Sequence, residues 1–287
     1  MNLKSVILAA RPKTLPAAVV PVWLGCLLSS RVFGQLDLWL AFCTLMGAIW
    51  IQIATNFFND AIDDEKGADT EARIGPTRAT ASGLMTRKQV YSWAFACLGI
   101  AALCGIPMIM ERGPIMLAIG LPSFYLAYGY TGGPLPLAYR GLGELFVILF
   151  FGLVAVMGTV FVQLGEWPWQ AAVLGLQLGF LSALLISINN LRDAEEDAGN
   201  DKRTLAVRWG RKPVLLSLLA MFITPYLLLA FLPGLSLQLL WFLIPFALGA
   251  KVIVSVCTTP ASPVYNKYLG MAGVHLILFA SVCTWVY

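Results

Sequence analysis

The sequence predicts an all-α fold: a polytopic membrane bundle of nine transmembrane helices with a cap of loops and short helices on one side. Three observations predict it. Of the 287 residues, 59% are hydrophobic and 12% are charged, about half the charge of a soluble domain. Mean hydropathy is +0.79. The apolar residues gather in repeated runs of about 20 residues, the length that crosses the hydrocarbon core of a bilayer. A soluble helical protein with a large core is the alternative, and so little charge argues against it. The net charge of +4 leaves no basic footprint for nucleic acid, and none is expected as a partner.

The elements follow in order. The arm MNLKSVILAARPKTLP shows no small-residue cleavage pattern, so the first segment is expected to stay in the mature chain. Span 1 is expected over 15–30, bent by Pro16 and Pro21. Span 2, over 38–58, ends in an acidic stretch, and a polar loop to about residue 86 is too long for a simple hairpin connection. Spans 3 and 4 are expected over 88–109 and 114–130, joined by the turn at 111–113. YTGGPLPLAYRGLGE, 130–144, reads as a loop with fixed turns. Span 5 covers 145–164, and span 6, over 170–190, delivers a second acidic stretch. Spans 7, 8 and 9 fall at 213–231, 236–257 and 269–286, separated by the Pro233-Gly234 turn and the loop at 258–268. One domain over 1–287 is expected.

Nine spans place 16 of the 19 lysines and arginines on the side of the N-terminus, Arg31 and Arg112 opposite, and Lys251 inside span 8. The rich side should be cytoplasmic, in an inner (plasma) membrane, and both acidic stretches fall there. The six cysteines lie in or near apolar segments without a C-x-x-C pair, as small hydrophobes do. His275, the single histidine, sits in the last apolar run and is expected to be packed, so a general base must be a carboxylate, a tyrosine or water.

The two acidic stretches carry the chemistry. NFFNDAIDDEKGADTEARIGPTR, 56–78, and NNLRDAEEDAGNDKRT, 189–204, hold eleven of the fifteen acidic residues. Carboxylates crowded beside a membrane-length segment repel one another and cost free energy to place. A divalent cation removes that difficulty, since Mg²⁺ takes hard oxygen ligands from one or two carboxylates and from substrate phosphates. On a helix Asn56 and Asp60 share a face, as do Asn59 and Asp63, and Asn189, Asp193 and Asp197 form one stripe. Arg73, Arg78, Lys202 and Arg203 follow the acids and suit phosphate oxygens. The reading is a metal–diphosphate site at a membrane surface. Solvated loops that merely fix topology would spread their acids more evenly. Spans 2–4 and 6–8 look like related halves, each opening on an acidic loop. A cation-coupled transporter is the rival from another class, yet it expects ionisable groups near the bilayer midplane rather than at one surface.

At NDAIDDEKGAD (59–69) and NNLRDAEED (189–197) the chain resembles the UbiA-type intramembrane prenyltransferase superfamily, with its N-D-x-x-D-type and D-x-x-x-D motifs. ARPKTLPAAVVPVWLG (10–25), DTEARIGPTRATASGLMTRKQV (69–90), YTGGPLP (130–136) and LRDAEEDAGNDKRTLAVRWG (191–210) are similar to its menaquinone-pathway branch, the 1,4-dihydroxy-2-naphthoate polyprenyltransferases. The resemblance implies transfer of a polyprenyl chain from its diphosphate to that aromatic acceptor. Loss of CO₂ and diphosphate would give demethylmenaquinone. It implies Mg²⁺ on Asn59, Asp63, Asp69, Asp193 and Asp197, with Asp63, Asp60 and Asp193 in the chemistry. Substrate contacts map to Arg11, Asn56, Asn59, Lys66, Arg78, Arg140, Asn189, Lys202 and Arg203, with Arg11 near the acceptor carboxylate. A carboxylate of the first motif would take a phenolic proton. Phe57, Phe58, Tyr125 and Tyr128 are aromatic candidates for the path of the allylic cation, with ordinary packing or interface anchoring the commoner role for any one of them. Asp64 departs from the branch, where an aromatic residue is frequent. Within the superfamily, the rival acceptors are 4-hydroxybenzoate and homogentisate, or a haem, a chlorophyllide or a glycerol-based lipid.

Overall fold

A computed structural model describes residues 3–67, 74–75, 77–231 and 237–286. Asp69, Glu71, Arg73 and the Pro233-Gly234 turn lie outside the described residues. Helix accounts for 82% of the structure, and the described residues contain no strand. The helices run in order: α1 (Leu3–Ala10), α2 (Pro16–Phe33), α3 (Leu38–Glu65), α4 (Arg87–Arg112), α5 (Ile115–Gly129), α6 (Gly143–Leu164), α7 (Trp169–Arg192), α8 (Ala194–Gly199), α9 (Leu205–Trp209), α10 (Arg211–Phe231), α11 (Leu237–Thr258) and α12 (Tyr265–Val286). Short 3₁₀ turns stand at Pro12–Thr14 and Leu137–Arg140.

Eight of these helices are long and apolar enough to cross a membrane. The departure from nine is α5, whose 15 residues reach roughly 22 Å at 1.5 Å per residue, short of a ~30 Å hydrocarbon core. Pro114 opens it, and the turn at 130–133 stops it. The other expected spans appear within a few residues of their expected limits, except that α3 carries its helix through the first acidic motif to Glu65.

Local signals explain several ends. Asp37 caps α3 by accepting from the Leu40 amide, and Thr86 and Gln89 form a reciprocal capping box at the start of α4. Of the candidate spans α7 is the most enclosed, with 67% of its apolar window buried, against 17% for α4; it is the central helix. Its partners include α6, α10 and α12. Leu174, Leu178 and Leu181 meet Leu24, Val156 and Phe279, while Leu184 and Ile188 meet Leu218 and Val252. Lipid supplies no hydrophobic drive between helices, so close backbone approach matters. Where α6 crosses α7, a Cβ on Gly179 would stand 2.6 Å from the Ile148 carbonyl oxygen. At the same crossing α6 widens into a π-helical segment, Ile148–Val154. Leu103, Met110, Leu121, Leu216 and Trp285 are exposed on the outside of the bundle, an apolar surface suited to lipid.

α3 packs along α4, with Phe57, Phe58, Val90, Ala94 and Cys97 in a separate core. The six cysteines are free. His275 is buried and bonds the Tyr226 hydroxyl at 2.7 Å, packed as expected.

Candidate active site

The C-terminal ends of α3 and α7 meet at one end of the bundle. Asn59 and Asp63 from α3 line a small cavity of ≈ 100 Å³ together with Asn189 and Asn190 from α7, Lys202 and Glu144. A larger cavity of ≈ 1010 Å³ shares Arg11, Asn59, Arg78, Tyr130 and Asn189 with it. From that polar end it runs along α3 as far as Thr44, roughly 22 Å at helical rise. Its far wall is apolar, with Met108, Met116, Ile119 and Val162. The π-helical segment contributes Phe150, Phe151 and Val154, in keeping with the frequent placement of π-bulges at functional sites.

Three of the deep carboxylates each meet a cation of this chain. Asp63 accepts from Arg78 Nη2 at 2.8 Å and from the Tyr139 hydroxyl at 2.9 Å. Asp193 takes Arg192 bidentately, Nε and Nη2 each at 2.7 Å. Asp197 takes Lys202 Nζ at 3.0 Å through one oxygen, and its Oδ2 is buried without a hydrogen-bond partner. Burial, the largest influence, pushes the Asp197 carboxyl up to about 6, with Lys202 opposing and Asp193 and Asp63 adding to the rise. Lys202 is itself pushed upward by its acidic neighbours, Asp197, Asp63 and Asp193, against a large opposing effect of burial. These mutual influences put both acidic motifs in one electrostatic field. Among the described residues no three His, Cys, Asp or Glu side chains stand close enough to hold a metal ion.

Asp60 does different work from that expected. Its carboxylate accepts from the Ala79 amide at 3.0 Å, the Thr80 amide at 2.9 Å and the Thr80 hydroxyl at 2.5 Å, so it anchors the loop that carries Arg78. Asn56 likewise ties down the N-terminal arm, donating to Ala10 O at 2.8 Å and Thr14 Oγ1 at 2.9 Å. Between those two contacts lies Arg11, at φ 50 and ψ 68, a left-handed conformation unusual for a non-glycine residue. Such strain is kept where surroundings enforce it, and Arg11 lines both cavities. Asn59 accepts from the Thr131 hydroxyl.

Three expected contacts, and Asp64, fall elsewhere. Lys66 donates to Thr131 O at 2.7 Å and lies 3.7 Å over the Tyr139 ring, pinning the 130–139 loop. Burial lowers its ammonium, with Asp63 and Glu65 opposing. Arg140 is exposed and reaches Pro134 O at 3.5 Å. Arg203 is exposed beside Asp201 at 3.7 Å. Asp64 pairs with Arg87 on the outer side of α3, which leaves it out of the deep site. The aromatic expectation also shifts. Phe57 and Phe58 pack against α4 in the core, with Trp93 and Phe95, whereas Phe124, Tyr130, Phe146, Phe150 and Phe151 line the cavity.

Sequence reasoning passed over Arg192, Glu144 and Asn266. Arg192 is 2% exposed and bonds Asn266 at 2.7 Å and Asn189 at 2.8 Å besides Asp193. Asn266 donates onward to Ile74 O at 3.2 Å, linking α12 to the loop after the first motif. Arg192 lies inside the second motif, and Glu144 is a lone acid at the head of a 20-residue apolar run; both signals were there to read.

The UbiA prenyltransferase family profile matches residues 18–262. The chain is 36% identical to the 1,4-dihydroxy-2-naphthoate octaprenyltransferase of Bacillus subtilis over 217 residues, 76% of this chain and 70% of that protein. It is 38% identical to the protein of the same name from Mycobacterium tuberculosis over 201 residues, 70% and 68% of the two chains. In fold it is similar to the solved structure of a UbiA homolog from Archaeoglobus fulgidus bound to DMAPP and Mg²⁺. The TM-score is 0.69 with 98% of each chain covered, at 16% identity. A shared fold, a profile match over most of the chain and relatives 36–38% identical agree: this multi-pass membrane protein belongs to the UbiA prenyltransferase family.

Proposed function

We propose that the chain transfers a polyprenyl group from polyprenyl diphosphate to 1,4-dihydroxy-2-naphthoate, with loss of CO₂ and diphosphate, giving demethylmenaquinol, the hydroquinone form of demethylmenaquinone. One observation carries this reading. A single cavity of ≈ 1010 Å³ joins a basic, amide-lined end to a long apolar wall, the shape of an amphiphile with an anionic head. Relatives 33–38% identical that bear the name 1,4-dihydroxy-2-naphthoate octaprenyltransferase support the choice of acceptor.

The donor set suits Mg²⁺. Asn59, Asp63, Asp193 and Asp197 offer hard oxygens, and the buried Asp197 Oδ2 has no hydrogen-bond partner. Asp69 belongs to the same sequence motif. Mg²⁺ keeps several waters and takes one or two carboxylates beside substrate phosphates, so a cluster of three acids is not required. When bound, Mg²⁺ supplies positive charge that stabilises the leaving diphosphate.

The chain's own residues do the rest. Arg78 and Lys202 offer donors to phosphate oxygens, and Asn59 and Asn189 flank them. Arg11 meets the acceptor carboxylate. The apolar wall holds the prenyl tail and keeps water from the allylic cation, and the faces of Phe124, Phe146 and Phe150 stabilise it by cation–π contact. The whole chain, 1–287, is read as one domain in the inner membrane, with α5 as the shortest of nine crossings. Its polar end faces the cytoplasm as a cap, as the lysine and arginine asymmetry supports.

The test uses purified protein in lipid nanodiscs with the dihydroxynaphthoate, a labelled polyprenyl diphosphate and Mg²⁺, read by mass spectrometry of the product and by CO₂ release. Prenylated naphthol with matching CO₂ is expected. Transfer confined to 4-hydroxybenzoate or homogentisate would overturn the choice of acceptor. Asp63→Asn and Asp193→Asn should each abolish Mg²⁺-dependent transfer without unfolding the protein.

A further inference from the structure

We propose that Glu144 is the base that takes the hydrogen of the acceptor's ring hydroxyl, an assignment that rests on the reaction proposed above. The argument starts from which carboxylate oxygen is open. Asp60 is consumed by the Ala79 and Thr80 backbone and the Thr80 hydroxyl. Both oxygens of Asp63 are taken, by Arg78 and Tyr139, and both of Asp193 by Arg192. Asp197 has an open Oδ2 but lines neither cavity. Glu144 differs from all of these. It is 2% exposed, one oxygen is fixed by Asn190 Nδ2 at 2.9 Å, and its Oε2 has no hydrogen-bond partner. It also lines the small cavity, beside Asp63, Arg78, Lys202 and Arg11. A buried acceptor atom with no donor costs about 1–3 kcal/mol, and a hydroxyl arriving in the cavity restores the missing hydrogen bond.

The ligand class follows from charge. An anionic phosphate is repelled by a carboxylate. A phenolic O–H meets no such repulsion and brings the donor that Glu144 Oε2 lacks, and Arg11 in the same cavity suits a neighbouring carboxylate. Glu144 Oε2 takes the proton of the hydroxyl ortho to the carboxylate, and the freed oxygen pair pushes into the ring. The carboxylate-bearing carbon bonds to the allylic carbon, whose C–O bond breaks with its electron pair leaving on diphosphate. The ring–carboxylate bond then breaks, CO₂ leaves, its electrons restore the aromatic ring, and the oxygen recovers the proton from Glu144. No net proton is consumed, and no co-reactant is needed.

Glu144→Gln keeps an acceptor oxygen for Asn190 and removes the base. Its kcat for the dihydroxynaphthoate should fall about 10²-fold or more, the usual contribution of a positioned base, while KM for the prenyl diphosphate and the Mg²⁺ requirement stay as in the wild type. Glu144→Asp should recover part of the rate, and the wild type should show a solvent deuterium isotope effect on kcat that Glu144→Gln lacks. Melting in detergent reports folding separately. Full kcat in a folded Glu144→Gln protein, alongside an active wild type, overturns the role of Glu144 alone. Activity of Glu144→Gln restored by excess Mg²⁺ makes it a metal ligand and overturns it equally. A wild type that forms no prenylated naphthol overturns the underlying reaction as well.

Discussion

Asp60→Asn separates an anchoring carboxylate from a reacting one. In the structure Asp60 takes three hydrogen bonds from the loop at 79–80, and that loop presents Arg78. Hydrogen bonds to a charged group are worth roughly 1.5–3 kcal/mol each. The amide keeps one acceptor oxygen, loses the charge and sets an NH₂ against backbone donors, so a net loss of about 3 kcal/mol is expected. At 1.4 kcal/mol per tenfold change this corresponds to roughly 10²-fold in the docking equilibrium of the loop. Apparent affinity scales with the fraction of protein in the competent state. KM for the prenyl diphosphate should therefore rise by up to about 10²-fold, with kcat at saturation largely retained and proteolytic nicking near residues 77–86 faster. Steady-state kinetics in nanodiscs, with limited proteolysis alongside, reads both. An Asp60→Asn protein with unchanged KM, unchanged proteolysis and lost kcat would refute the anchoring role and return Asp60 to the chemistry.

Three further outcomes are expected. Arg192→Met strips the partner from a buried carboxylate, since Arg192 and Asp193 side chains are 1% and 4% exposed; removing one member of such a pair costs about 3–5 kcal/mol, visible as a lower melting temperature that Asp193→Leu on the same background partly restores. Asp197, held up to about 6, must lose its proton to bind a metal; the Mg²⁺ concentration for half-maximal activity should rise as pH falls through 6 and level off above it. For stability the direction is opposite: with a folded value above the ordinary 3.8, the folded state holds the extra proton, so this group favours folding at low pH and the benefit fades as pH rises through about 6. Gly179→Ala places a methyl 2.6 Å from the Ile148 carbonyl oxygen; overpacking of about 1–3 kcal/mol should lower the yield of folded protein in mild detergent, with loss of the π-helical segment's alignment seen as reduced activity.

The helical bundle was legible because apolar runs of membrane length leave few other folds, and the acidic ends of α3 and α7 stood out because charge is so scarce elsewhere. Partnering was harder to read. Asp60 and Asp63 are three residues apart on one helix and look equivalent, yet the first faces the returning loop and the second faces Arg78 and Tyr139. Helical phase gives the face of a side chain but not what packs against that face. The same limit applies to Phe57 and Phe58: they adjoin the motif in sequence yet pack against α4, the commoner role for such residues, whereas the cavity takes its aromatics from α5, α6 and Tyr130. The fourth span was read within one residue of its observed limits, 114–130 against Ile115–Gly129; its 15 helical residues are simply too few to reach across a full hydrocarbon core, a shortfall that hydropathy alone does not flag.

The pairing of acids with bases follows from burial. Asp63 is 5% exposed and Asp193 4% exposed, depths at which a bare carboxylate is costly. Arg78 and Arg192 offset that cost. Arg78 arrives from 15 residues along the chain and Arg192 from the adjacent position, so the two motifs reach neutrality by different routes. Were a divalent ion and a diphosphate bound here, Asp63, Asp193 and Asp197 would hold the ion, and Arg78, Arg192 and Lys202 would be available to the phosphate oxygens, so a highly charged substrate head would meet compensating charge at the end of an apolar bundle.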